Sequence, residues 1–149
     1  MLIDSQFPPV LLARATGLLV SGRIHFVKEV IGQIRRTEEE DFEVYRQVVL
    51  TPGKGQPEKA GAILEVTFKF ARWSQGVNRK LSFIPIPLIV AQPGFRSKTW
   101  LTGLQSGLFK GVYKWDTLES AEKYWDSFPM RLMRRRSAEG TLSKNVRKT

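Results

Sequence analysis

Residues 93–128 read PGFRSKTWLTGLQSGLFKGVYKWDTLESAEKYWDSF, and this stretch decides the fold. From Phe95 to Thr102 the chain alternates. Phe95, Ser97, Thr99 and Leu101 fall on one face, and Arg96, Lys98, Trp100 and Thr102 on the other. Phe109 to Trp115 alternates again, with Phe109, Gly111, Tyr113 and Trp115 opposite Lys110, Val112 and Lys114. The Gly103–Gly107 connection is short and bounded by glycine, so the two runs pair as an antiparallel hairpin. Asp116-Thr-Leu-Glu119 fits a capping box, with Asp116 as the cap of a helix over 117–128. Leu118, Ala121, Trp125 and Phe128 form its apolar stripe, which requires a sheet to lie on. Pro129 ends or kinks that helix and suits the first position of a new turn through Met133.

Working outward, Ile63 to Arg72 reads as a strand with Leu64, Val66, Phe68 and Phe70 on one face. Ser74 caps a helix reaching about Phe83. Pro85 and Pro87 interrupt it, and a further turn covers 88–92. Phe42 to Leu50 alternates Phe42, Val44, Arg46, Val48 and Leu50 against Glu43, Tyr45, Gln47 and Val49, which predicts an extra strand. The run Thr51–Pro57 is a loop rich in Pro and Gly. It is no phosphate loop, because no Gly-Lys-Ser/Thr follows and no helix opens there. This loop divides an N-terminal extension, 1–60, from a module, 61–149. Within the extension, Val10 to Ile34 reads as one amphipathic helix, with Arg14, His25, Lys28 and Arg35 on its polar side and Gly17 and Gly22 as weak points. Thr141 to Lys148 supplies a last strand. The order strand, helix, strand, strand, helix, strand is the split βαβ, ferredoxin-like α+β arrangement.

The 149-residue length suits one domain with an appendage. Without cysteine there is no disulfide, thiol nucleophile or thiolate metal site. No secretory leader or run of eighteen apolar residues is evident, which points to a cytoplasmic protein. The net charge of +10 raises two partners, nucleic acid and anionic membrane. Basic residues gather at Arg131 and Arg134–Arg136, acids interrupt them at 38–43, and no aromatic side chains interleave the cluster, so nucleic acid is disfavoured. The N-terminal helix has two readings: peripheral docking on an anionic membrane, or packing on its own domain or across a dimer. His25 is the sole histidine and no second ligand lies one helical turn away. That argues against metal sites and Ser/His/Asp chemistry.

Leu64–Phe70, Pro93-Gly-Phe-Arg-Ser-Lys-Thr-Trp100, Gly111-Val-Tyr-Lys-Trp-Asp116 and Ser120–Tyr124 together resemble the dimeric α+β barrel superfamily. Within it they are most similar to small mono-oxygenases whose second strand reads Pro-Gly-Phe-x-x-Lys-x-Trp. The resemblance covers roughly 62–148. It implies a homodimer whose two sheets face each other as a barrel, and a pocket in each subunit between sheet and helices. Some relatives oxidise polycyclic aromatic molecules with oxygen and no metal or flavin; others bind or degrade haem through a histidine on a helix. The helix over 117–128 has no histidine, so haem ligation of that kind, and any cofactor, is not expected.

The residues assigned to substrate binding are Arg96, Lys98, Trp100, Tyr113, Trp125 and Asn78, with Tyr124 beside them. Arg96 and Lys98 on a central strand require either a ligand oxygen or a partner such as Glu65 or Glu119. Aromatic side chains at this strand and helix spacing are more often plain core than site. Two functions follow: a cofactor-independent mono-oxygenase acting on a hydrophobic, aromatic small molecule, or a non-catalytic dimeric ligand-binding or membrane-peripheral scaffold.

Overall fold

A computed structural model of the chain describes residues 6–149. In chain order the elements are α1 (Pro8–Val20), β1 (Ile24–Phe26), β2 (Ile34–Arg36), β3 (Asp41–Leu50), β4 (Ala62–Phe68), α2 (Gln75–Leu81), α3 (Ile86–Val90), β5 (Phe95–Gly103), β6 (Phe109–Trp115), α4 (Leu118–Trp125), α5 (Phe128–Arg136) and β7 (Ser143–Lys148). One antiparallel sheet runs β1-β3-β5-β6-β4-β7, with β2 also paired to β3. The inner order β5-β6-β4-β7 is the split βαβ arrangement, so the ferredoxin-like reading holds. The strand before it, β3, continues the same sheet beyond β5 from Phe42↔Gly103 to Val49↔Ser97.

The helices cover one face. Leu64, Val66, Phe95, Trp100, Tyr113 and Trp115 from the sheet pack there against Leu11, Ile89, Ala121, Tyr124 and Met130. On the opposite face Phe42, Val44 and Leu101 make a smaller cluster with Val30, Leu108 and Val112.

Several expectations are corrected. The single helix over 10–34 is instead α1 followed by two short strands. Gly22 and Gly32 take left-handed φ values of 72° and 89°, which break the helix and let the chain return along the free edge of β3. The cap of α4 is Thr117, whose side chain accepts from the Ser120 amide at 3.0 Å. Asp116 is engaged elsewhere, by the Arg96 guanidinium at 3.1 Å and the Gln56 amide at 3.0 Å. The helix breaks after Trp125, and α5 starts from a Ser127 cap and runs to Arg136 rather than ending at Met133. β4 stops at Phe68, because Phe70 bridges Ser137 and Trp73 turns the chain with a φ of 70°.

Two β-bulges alter which side chains share a face. One lies between Phe95 and Ser97, the other between Val44 and Arg46. Each inserts one residue and resets the alternation behind it. Phe95 therefore joins Trp100 in the helix-side core, and Arg96 leaves the face that carries Lys98. On β3, Phe42 and Val44 face away from the helices, while Val48 and Leu50 face them.

Candidate functional site

Between the sheet and the helices lies an apolar cavity of about 60 Å³. Lys98 and Trp100 reach it from β5, Phe109 and Tyr113 from β6, Tyr45 from β3 and Tyr124 from α4; Phe70 and Met133 complete its rim. Register explains the meeting of the central pair, since Lys98 sits opposite Tyr113 across the β5–β6 ladder. Gly111 makes the approach possible. A Cβ there would stand 2.9 Å from Tyr113 Cε1 and 3.1 Å from Lys98 Cε, inside normal contact.

Lys98 is the unusual group. It is 8% exposed, and among the described residues no carboxylate pairs with it. Its Nζ lies 4.5 Å from the Trp100 ring centroid and 4.4 Å from that of Tyr113. Burial, with the Arg46 cation as a lesser cause, holds its pKa well below the ordinary lysine value. Burial thus weighs against the ammonium and toward the free amine, the form able to accept a proton. Tyr113 and Tyr124 face each other at 3.4 Å between hydroxyl oxygens, a long hydrogen bond. Desolvation pushes the pKa of both upward, so both stay neutral.

A polar wall borders the cavity on the β3 side. Arg46 donates to Ser82 Oγ at 2.7 Å and to the Arg79 carbonyl at 3.1 Å, with its guanidinium 5.5 Å from the Trp100 ring centroid. The Tyr45 hydroxyl lies 3.4 Å from Ser82 Oγ, and burial raises its pKa to about 12.

Of the residues singled out from sequence, Lys98, Trp100, Tyr113 and Tyr124 meet in the cavity. Arg96 does not. Its guanidinium donates to the Pro57 carbonyl at 2.5 Å, the Glu58 carbonyl at 2.8 Å and Asp116 at 3.1 Å, tying the 52–60 loop to the hairpin. The suggested partners are occupied as well: Glu65 pairs with Arg147 and Glu119 with Lys123. Trp125 stands outside the cavity, between Arg134 at 4.6 Å and Lys144 at 4.4 Å from its ring. Asn78 is buried beneath the turn at Arg72 and Trp73, to whose carbonyls it donates. Tyr45 and Arg46 were assigned to opposite faces of β3; the bulge turns both toward the cavity.

A haem does not fit these residues. No histidine lines the cavity. The histidine His25 lies on β1, exposed, with its Nε2 2.7 Å from Thr51 Oγ1.

The fold and this sheet-to-helix cavity define a ferredoxin-like α+β protein. No protein-family model and no curated protein matches the chain. Solved structures do. An uncharacterized ferredoxin-fold protein related to antibiotic biosynthesis monooxygenases, from Listeria monocytogenes, superposes with a TM-score of 0.54 and 10% identity over 76% of this chain and 68% of that one. A haem-degrading enzyme from Listeria monocytogenes gives 0.52 and 14%, over 75% and 72%. A monooxygenase-like protein from Listeria innocua gives 0.50 and 12%, over 72% and 62%. At these identities the likeness is one of fold.

Proposed function

We propose that the chain is a cofactor-independent, mono-oxygenase-like protein whose cavity takes a hydrophobic, aromatic small molecule with an acidic C–H or O–H group. One observation carries this reading: the buried amine of Lys98, without a carboxylate partner, between two aromatic rings. A substrate proton passes to Lys98 Nζ, leaving a substrate anion beside an ammonium. The anion gives one electron to molecular oxygen. The resulting pair joins through a new C–O bond to a peroxide, which loses water and leaves a carbonyl. One oxygen atom ends in product and one in water, and Lys98 returns its proton to the departing hydroxide. Trp100 and Tyr113 stack on the ring, and the dry wall strengthens the ion pair. Half-exposed Phe70 and Met133 move aside to admit a ring larger than the closed volume, Met133 being the more adaptable. A second copy pairs through the sheet face opposite the helices.

The test uses 1-naphthol as a binding probe, followed by its fluorescence, with native mass spectrometry of the complex. The wild-type protein is expected to bind it saturably, and Lys98→Met to bind at least ten-fold more weakly with an unchanged circular-dichroism spectrum. Equal affinity in both proteins would remove Lys98 from the site.

A specific surface favours a second reading, peripheral membrane contact. Leu12, Leu19, Phe26 and Phe83 are each about half exposed and line an apolar groove of about 370 Å³ between α1, β1 and the α2–α3 segment. No acidic residue occurs in 6–28 or in 66–115, the segments that form it, while Arg14, Arg23, Lys28 and Lys80 do. That combination suits anionic lipid. No described helix is long and apolar enough to cross a membrane. Co-sedimentation with phosphatidylglycerol vesicles is expected, and Leu19→Glu with Phe83→Glu should abolish it; binding unaffected by that pair would exclude the groove.

A further inference from the structure

Beside the cavity rim, the chain between β4 and α2 is held in a conformation that presents a tryptophan to solvent. Trp73 has a φ of 70° and is 65% exposed. A bulky L-residue in this region is strained, and exposing an indole forgoes its burial. The surroundings impose both. Asn78, 1% exposed, donates its amide to the Arg72 carbonyl at 2.8 Å and the Trp73 carbonyl at 3.3 Å. Its oxygen accepts from the Arg136 guanidinium at 2.9 Å. Arg136 then lies 4.7 Å from the Phe70 ring centroid and 5.6 Å from that of Trp73. One buried amide thus fixes the strained turn and aims the arginine.

Arg72 and Arg135 line the same notch, an open space of about 320 Å³ floored by Phe70 and Ala71. Among the described residues no carboxylate lies within ion-pairing distance of Arg72, Arg135 or Arg136. Three guanidinium groups thus line one notch beside an exposed indole, with no carboxylate to pair them. Guanidinium forks match phosphate or carboxylate oxygens in pairs, and an indole face accepts a flat ring.

We infer that the Trp73–Arg136 notch is a binding site for a planar aromatic ring bearing an anionic group, with the ring stacked on Trp73 and the anion held by Arg72, Arg135 and Arg136. The two sources of that chemistry are nucleotides and aromatic carboxylates. The notch shares Phe70 with the cavity rim but contains neither Lys98 nor Trp100, so its binding is tested separately from the oxygenase reading.

Ligand-observed NMR and calorimetry with four probes test it: AMP, 2-naphthoate, adenosine and inorganic phosphate. AMP or 2-naphthoate is expected to bind at least ten-fold more tightly than adenosine or phosphate, and the tighter of the two identifies the source. Trp73→Gly removes the ring while suiting the left-handed turn, so it folds at least as well as the parent; it should weaken binding ten-fold or more. Arg135→Gln should weaken binding and flatten its salt dependence, and Lys98→Met should leave it unchanged. No binding of either aromatic anion at millimolar concentration overturns the inference. So does affinity retained by Trp73→Gly, or phosphate bound as tightly as AMP.

Discussion

Replacing Lys98 with methionine keeps the length and apolar stem of the side chain and deletes only the amine. Two effects compete over the protonation state of that amine. Interaction with Trp100 and Tyr113 favours the ammonium by ~2 kcal/mol for a desolvated pair. Removing an ion from water costs several kcal/mol, and Arg46 adds repulsion. Desolvation wins, and the folded-state pKa falls below the unfolded one. The sign follows directly. Between the lowered value and the ordinary value of 10.5, the unfolded chain binds the proton that the folded chain refuses. Stability of the wild type therefore rises with pH across that window and declines as pH falls, by at most ~1.36 kcal/mol per pH unit. Lys98→Met lacks this dependence. The variant is expected to gain on the wild type as pH falls from 9 to 7, at no more than ~1.36 kcal/mol per pH unit. Urea unfolding at half-unit pH steps measures the difference; Tyr45, Tyr113 and Tyr124, with raised pKa values, stay neutral throughout that range. A constant difference between the two proteins from pH 7 to pH 9 would refute the reasoning, because it would mean the rings hold the ammonium.

Arg96→Ala strips three acceptors of a buried guanidinium and leaves Asp116 half-paired, for an expected loss of about 3–5 kcal/mol in urea unfolding. Gly111→Ala drives a Cβ against Tyr113 and Lys98, costing about 1–3 kcal/mol and altering the near-ultraviolet circular dichroism of the cavity tyrosines; an unchanged spectrum would contradict the close approach. Thr117→Ala should cost about 1 kcal/mol through loss of the α4 cap. The reverse order, with Asp116→Ala changing helix content more than Thr117→Ala, would restore Asp116 as the cap.

How much of this was legible in the sequence varies with the element. β5, β6, β7 and the Ser74 cap of α2 lie close to where alternation, glycine spacing and capping chemistry put them, because those features act within a few residues. Lys98, Trp100 and Tyr113 were identifiable as a group for the same reason. Their strands are adjacent and their register follows from a short turn. The long N-terminal helix was misread because apolar spacing cannot distinguish α1 from the two short strands after it. Only pairing with the free edge of β3, more than twenty residues beyond β1 and fewer than ten beyond β2, makes the two strands stable there.

Local patterning thus determined the ferredoxin-like module and half of the cavity. The tertiary structure alone decided which faces share it. A period-two reading carries no trace of an inserted residue, and the bulges at Tyr45 and Arg96 arise from pairing with a neighbouring strand. One bulge sends Arg96 to the 52–60 loop and leaves Lys98 without its expected companion; the other brings Tyr45 and Arg46 over from the extension. The pKa of Lys98 is likewise a tertiary property, since it depends on the water that helices and sheet together exclude.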